Sequence, residues 1–205
     1  MLDLSWLSGI VSPYSLALFL HVAAASILLG GSVFAPFVRR ALIAATTVGE
    51  LRVWLGFARE TSRANPAVSL VVLASGLFMG VEGGWWTDGW FMVAASAWLA
   101  NALVAVLVIQ RAAMVVGSAA ARCRDNQVSD EVDRLRRSAR WTLAADFLQA
   151  NDLAMVYLMF NKPSALASGA LLVTAWSILA GARYAQRAWI GRDVGPGSLT
   201  PVPGR

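Results

Sequence analysis

The chain is poor in the residues on which most soluble enzymes depend. Only 14% of its 205 residues are charged, and it contains a single cysteine and a single histidine. A lone cysteine cannot form a disulfide within the chain, so it does not indicate a redox compartment. No Cys-x-x-Cys pair, Walker loop, glycine-rich dinucleotide loop, nucleophile elbow or His-Glu-x-x-His motif occurs. These absences favour a non-enzymatic protein over an enzyme.

Hydrophobic residues are abundant instead, at 58% of the chain, with a mean hydropathy of +0.60. Soluble domains carry about 45–50% apolar and about 25% charged residues. Apolar runs of roughly 20 residues recur, and each is long enough to cross a bilayer. This composition excludes collagen-like, disordered, disulfide-built and ordinary soluble classes. It predicts an all-α integral membrane protein.

Five transmembrane helices are predicted, in a single membrane domain over residues 13–190. We expect a four-helix bundle core with a C-terminal fifth helix. The predicted spans are about 13–38, 65–83, 89–111, 141–161 and 163–184. Residues 41–63 mix charged with apolar side chains at helical spacing, which indicates an interfacial or helix-extending segment. Residues 1–12 are interpreted as a short outer segment, and the Gly/Pro-rich residues 191–205 as a disordered tail.

The distribution of basic residues predicts the orientation of these spans. Sixteen of the 17 cations are arginine, and the two turns between spans two and three and between spans four and five contain only Lys162. Every arginine lies on the other side, which the positive-inside rule makes cytoplasmic. The N-terminus is therefore expected outside and the C-terminus inside, in a bacterial-type inner (plasma) membrane. The net charge of +5 therefore reflects the arginines of the cytoplasmic side, and we expect no nucleic-acid partner.

Ionisable residues inside the spans are the candidate functional residues, because burying them in hydrocarbon is costly. His21 lies about 10 Å deep in span one at about 1.5 Å per residue. Span four runs the opposite way, which brings Asp152 and Met155 to the same depth. If these spans are neighbours, Asp152 is placed to accept a hydrogen bond from His21.

The other polar residues extend this candidate site into a polar cavity near the outer face. Asp146, Gln149 and Asp152 follow one another at spacing three on span four, an arc of about 120° that should face the bundle interior. Asn101 lies near the middle of span three, and Glu82 at the outer end of span two. For the amides Asn101 and Gln149, hydrogen bonding between packed helices is a simpler interpretation than a functional role.

Several segments resemble known membrane families. The run Leu18–Val22 with Gly30-Gly31 is similar to the first helix of CopD-like and HemJ-like proteins. Later segments resemble a related family of predicted integral membrane proteins of unknown function, over about residues 14–163. Those segments are Asn65-Pro66, Ser75-Gly76-Leu77, Gly84-Trp85-Trp86, Trp98, and Trp141 leading to Met159-Phe160-Asn161-Lys162-Pro163.

Three functions follow from these observations. The first is a non-enzymatic subunit or accessory factor with a polar intramembrane cavity, whose partners are the lipid bilayer and either another membrane protein or further copies of the chain. The second, which the resemblance also implies, is a haem b- or copper-binding redox or transport protein with His21, and Met155 beside it, as ligands. The third is a proton or small-cation pathway through Asp146 and Asp152.

Overall fold

The computed structural model describes residues 12–193, and this part of the chain is helical throughout, without a strand. Its helices are α1 (Pro13–Ala44), α2 (Val48–Glu82), α3 (Gly89–Arg122), α4 (Asp130–Arg136), α5 (Ala139–Asn161) and α6 (Ala165–Asp193). A 3₁₀ turn, Trp85–Thr87, precedes α3. The predicted outer segment, apart from Ser12, and the predicted tail from residue 194 onward lie outside the described residues. Residues 191–193, expected in the tail, belong to α6.

The helices confirm an all-α multi-pass membrane protein. Four of them, α1, α2, α3 and the Ala165–Arg183 part of α6, are long and apolar enough to cross a bilayer. Helix α5 has 23 residues, which is about 34 Å at 1.5 Å per residue. It is less apolar because it carries several polar side chains.

The helix that contains the second predicted span begins before that span. The span is predicted to start near Pro66, whereas α2 starts at Val48 and continues through that proline. The reason is a capping box, in which the Thr47 hydroxyl accepts from the Glu50 amide and the Glu50 carboxylate accepts from the Thr47 amide. Pro66 removes only the bond to the Ser62 carbonyl, in a stretch that is exposed. The segment 41–63 therefore extends the helices, as one of its two interpretations held.

The helices form two groups. Helices α1 and α2 pack along each other as a long antiparallel hairpin, whereas α3, α5 and α6 pack as a second group. Helix α5 also contacts α1, and the C-terminal part of α3 contacts α2, so the two groups are joined at two places. The C-terminal helix α6 packs on α3 and α5, two members of the predicted four-helix core.

Arginines bind neighbouring helices at one end of the bundle. We call the end that contains Arg52 and Arg136 the Arg-rich end. Buried apolar residues form a core there from α1 to α5, namely Leu42, Ala45, Leu51, Val116, Ala119, Ala120, Val132 and Trp141. The buried Arg136 guanidinium donates to the Leu42 and Ala45 carbonyls at 2.8 and 2.7 Å, and Arg52 donates to the Ala120 carbonyl. These donors satisfy carbonyls that the helix ends leave unpaired.

The turns at the opposite end, which we call the Trp end, also pack together. The Lys162 ammonium lies 3.8 Å from the centre of the Trp85 ring, and Trp85 packs on Trp90 at 5.6 Å between centroids. A Cβ atom on Gly89 would approach the Ala165 backbone nitrogen to 2.8 Å, so only glycine lets the starts of α3 and α6 come this close. The α2–α3 and α5–α6 turns therefore share one surface.

Candidate functional site

A chain of side-chain hydrogen bonds joins α3 and α5 in the interior of the bundle. Asn101 donates from Nδ2 to Asp152 Oδ1 at 2.7 Å. Asn151 donates from Nδ2 to Asn101 Oδ1 at 2.8 Å and to the Ala97 carbonyl at 2.9 Å. We call Asn101, Asn151 and Asp152 the amide network.

Chemistry fixes the direction of these bonds. The Ala97 carbonyl can only accept, so the nitrogen of the Asn151 amide must face it. That nitrogen then requires the oxygen of Asn101 on its other side, which turns the Asn101 nitrogen toward Asp152. The network therefore runs from donor to acceptor and ends on the Asp152 carboxyl.

One atom of the network has no partner. Asn151 is fully buried, with 0% of its surface exposed, and its Oδ1 accepts no hydrogen bond from the described residues. A buried acceptor without a donor costs about 1–3 kcal/mol. The network is also next to an irregular part of α3, because one turn beyond Asn101 the helix is a π-helix, Ala105–Gln110, that packs against α5. Such π-helical turns are frequent at functional sites.

Asp152 brings a third helix to the network. The Ser32 hydroxyl on α1 lies beside the Asp152 carboxyl, whose residue is partly buried. The amide network thus lies where α1, α3 and α5 meet. Sequence reasoning placed Asn101 and Asp152 in one polar cavity, and the structure brings these two into contact.

His21 has different neighbours from those expected. Its Nδ1 lies 3.0 Å from the Val72 carbonyl and 3.2 Å from the Ser75 hydroxyl, both on α2. The predicted bond from His21 to Asp152 is therefore absent from the described structure, because the ring faces α2 and Asp152 lies beside Ser32, 11 residues or about 16 Å further along α1. Gly76 permits this packing, since a Cβ there would meet the ring at 3.1 Å.

The Val72 carbonyl also sets the tautomer of His21. A carbonyl accepts only, so Nδ1 carries the proton and Nε2 keeps its lone pair. Among the side chains that the structure describes, none bonds Nε2. An apolar groove of about 360 Å³ between α1 and α2 lies next to this histidine, and Ser75 is one of its lining residues.

The remaining predicted site residues lie outside both the amide network and the surroundings of His21. Met155 packs in an apolar cluster with Val93 and Leu171, away from His21. Gln149 is half-buried without a hydrogen bond to the described residues, and Glu82 is exposed at the end of α2. The structure therefore does not gather all predicted residues into one cavity.

Asp146 has an unpredicted partner. Its carboxylate forms an ion pair of 2.7 Å with Arg183 of α6. The two aspartates of α5 thus bind separate groups, Arg183 and Asn101, and the pathway through both stays a prediction. Two residues were missed, namely Arg183, which pairs with Asp146, and Asn151, which donates to Asn101. An amide within an apolar span, and an arginine directly at the end of one, were the available signals.

Within the described residues, no three of His, Cys, Asp and Glu come together as a metal-binding group. Comparisons of the chain with protein-family models, with curated proteins and with solved structures give no significant match. The resemblance to CopD-like and HemJ-like proteins stays a prediction.

Proposed function

We propose that the chain crosses the plasma membrane of a bacterial-type cell five times, with its N-terminus outside and the Arg-rich end inside. Helix α5 is long enough to be the additional span, and it lies among α1, α3 and α6. The described arginines lie toward the Arg-rich end, whereas the turn at the Trp end carries Lys162. The positive-inside rule then makes the Arg-rich end cytoplasmic.

Cysteine labelling tests this topology. In a Cys123→Ser background, we place single cysteines at Thr87, Gln127 and Ser164 and treat intact cells with an impermeant maleimide. We expect labelling at 87 and 164, and labelling at 127 only after permeabilisation. The reverse pattern would invert the topology, and labelling of 164 together with 127 would remove α5 as a span.

Within this topology, we propose a non-enzymatic subunit or accessory factor. The amide network carries the proposal, because its donors are engaged by other side chains and by the Ala97 carbonyl within the bundle. Such a network suits the holding of helices more than the turnover of a substrate. An accessory membrane protein then acts through its lipid-facing surface, on another membrane protein or on further copies of itself.

Site-specific photo-crosslinking in native membranes tests this role. Photoreactive residues replace exposed side chains on three helices, Phe34 of α1, Leu70 of α2 and Ile178 of α6. We expect one face to give a discrete protein adduct, whereas the other faces give only lipid adducts. Masses of the adduct distinguish a second copy from another protein. Lipid adducts at all three positions would contradict the accessory role.

A second candidate is haem b or copper bound by His21, and the ring geometry favours it. Histidines that bind metals usually donate their other ring N–H to a carbonyl or carboxylate, and Val72 provides that carbonyl. The fit extends to one protein ligand only, because Met155 lies elsewhere and no metal-binding group of three occurs in the described chain. When bound, such a group would supply redox chemistry. His21 would hold it, and the bond to Val72 would orient the ring.

Absorption spectra and metal analysis of the purified protein, after haem or copper is supplied, test this candidate. We expect a Soret band, or about one copper per chain, that is lost in His21→Ala and retained in Asp152→Asn, which leaves the His21 surroundings unchanged. A folded protein without colour or metal would exclude His21 as a ligand.

A further inference from the structure

Three helices bring charged side chains together near the Arg-rich end, in a place separate from the amide network. Arg183 of α6 pairs with Asp146 of α5 at 2.7 Å. Arg39 of α1 donates to the Thr142 hydroxyl, and its guanidinium lies 5.2 Å from the centre of the Trp141 ring. The cluster is therefore built by α1, α5 and α6 at their contact.

The cluster has more positive than negative charge. Arg39 and Arg183 bind Thr142 and Asp146, which lie about one turn apart on α5, but in the described chain no carboxylate comes within 4.0 Å of the Arg39 guanidinium. Its direct partners, Thr142 and Trp141, are neutral. The cluster thus holds two guanidinium groups and one carboxylate, which pairs with Arg183, and a guanidinium offers five donors in a planar fork. The geometry leaves one positive charge and several donors for an anion.

The position of Arg39 along α1 defines where this anion would lie. From Pro13 to Arg39 the helix rises by about 39 Å, at 1.5 Å per residue. A bilayer measures about 40–45 Å including its headgroups. If α1 begins at one interface, Arg39 therefore reaches the headgroups of the opposite leaflet.

We propose that Arg39 and Arg183 bind the phosphate of an anionic phospholipid between α1, α5 and α6. Arginine binds phosphate oxygens through paired N–H donors, and basic pockets between transmembrane helices bind anionic headgroups. Arg183 is 43% exposed and Asp146 13%, so the donors of Arg183 are accessible while the carboxylate is mostly covered. The proposal needs a membrane, but not a particular orientation in it.

Native mass spectrometry of the full chain in detergent tests the proposal. Phosphatidylglycerol, phosphatidylcholine and inorganic phosphate are each added as probes. We expect retention of phosphatidylglycerol over phosphatidylcholine, and no competition from equimolar inorganic phosphate. Retention of both lipids alike, or full competition by phosphate, would overturn the lipid assignment.

Two variants locate the site. Arg39→Gln should weaken phosphatidylglycerol binding about fivefold, the effect of one basic residue near an anionic lipid. Arg40→Gln is the matched control, because Arg40 is its exposed neighbour at the same level and lies outside the cluster. We expect less than a twofold change for this control. Equal effects of the two variants would mean a general attraction to the basic surface and would overturn the site.

A third variant guards against misfolding as an explanation. Asp146→Asn removes the carboxylate that competes for Arg183, so it should strengthen phosphatidylglycerol binding severalfold. A damaged fold does not produce tighter binding. Unchanged or weaker binding in Asp146→Asn would overturn the proposal, whatever the outcome of the topology and crosslinking experiments.

Discussion

Replacing Asn101 by leucine tests whether the amide network stabilises the bundle. Asn101 joins α3 to α5 through two side-chain bonds, of 2.7 Å to Asp152 and 2.8 Å from Asn151. Hydrogen bonds between membrane helices contribute about 0.6 kcal/mol each on average, so the two bonds account for about 1.2 kcal/mol. The Asp152 carboxyl also loses its α3 donor, which raises the expected loss to about 2 kcal/mol.

A double-mutant cycle isolates the bond itself. The free energy of unfolding is measured by steric trapping for the parent, Asn101→Leu, Asp152→Leu and the double variant. We expect a coupling energy of about 0.6 kcal/mol, and no more than about 1.7 kcal/mol. Such a coupling also agrees with the measured range for residues in direct contact.

Thr174→Val provides the matched control. This residue lies in the apolar part of α6, and its hydroxyl bonds only the Ala170 carbonyl of its own helix. The substitution should change the free energy of unfolding by less than about 0.5 kcal/mol. If Asn101→Leu is as mild as this control and the coupling energy is zero, the network does not hold α3 to α5.

Three further predictions concern the two ends of the bundle. Arg136→Ala should lower the free energy of unfolding by about 3 kcal/mol in the same assay, because two carbonyls at the end of α1 lose a buried charged donor. A loss below about 1 kcal/mol would contradict this capping role. Hydrogen bonds from Arg136 and Arg137 lower the pKa of the Asp133 carboxyl, so its contribution is present above the unfolded pKa of about 3.9 and is lost as the pH falls through the folded value. Asp133→Asn should accordingly destabilise the protein at pH 7 and converge with the parent in acid, whereas a constant difference down to the lowest pH would refute this. Gly89→Ala should lower the free energy of unfolding by about 1–3 kcal/mol, because the added Cβ forces α3 away from α6. Gly117→Ala has open space around its Cβ and should be neutral or stabilising. Thermal unfolding of both variants in detergent measures the difference.

The spans were predictable from sequence because long apolar runs determine them directly. Helices α1, α3 and α6 coincide with three such runs, although each extends into polar residues beyond the predicted end. For the start of α2, the sequence left two interpretations of residues 41–63 open, an interfacial and a helix-extending segment. Apolar runs do not reveal a helix that begins in a charged segment, whereas the Thr47–Glu50 capping box does.

The pairing of polar side chains was less predictable. Counting residues from the outer ends of the spans placed His21 and Asp152 at the same level, but Asp152 lies beside Ser32, about 16 Å further along α1, because helices of 32 and 23 residues do not start at the same level. Direction around the helix axis depends on which helices are neighbours, and this is determined by packing of the whole bundle. His21 therefore faces Val72 on α2, while Asp152 faces Asn101 on α3.

The Arg136 cap also sets an order of events during synthesis. Arg136 follows Leu42, whose carbonyl it binds, by 94 residues. At about 5–20 residues per second, the ribosome needs about 5–20 s to deliver that arginine after the end of α1 has been made. After Glu82 has been made, the α1–α2 hairpin is complete in sequence, but the Leu42 and Ala45 carbonyls still lack the Arg136 donor. Completion of that end of the bundle is therefore a late step, which follows the emergence of α4.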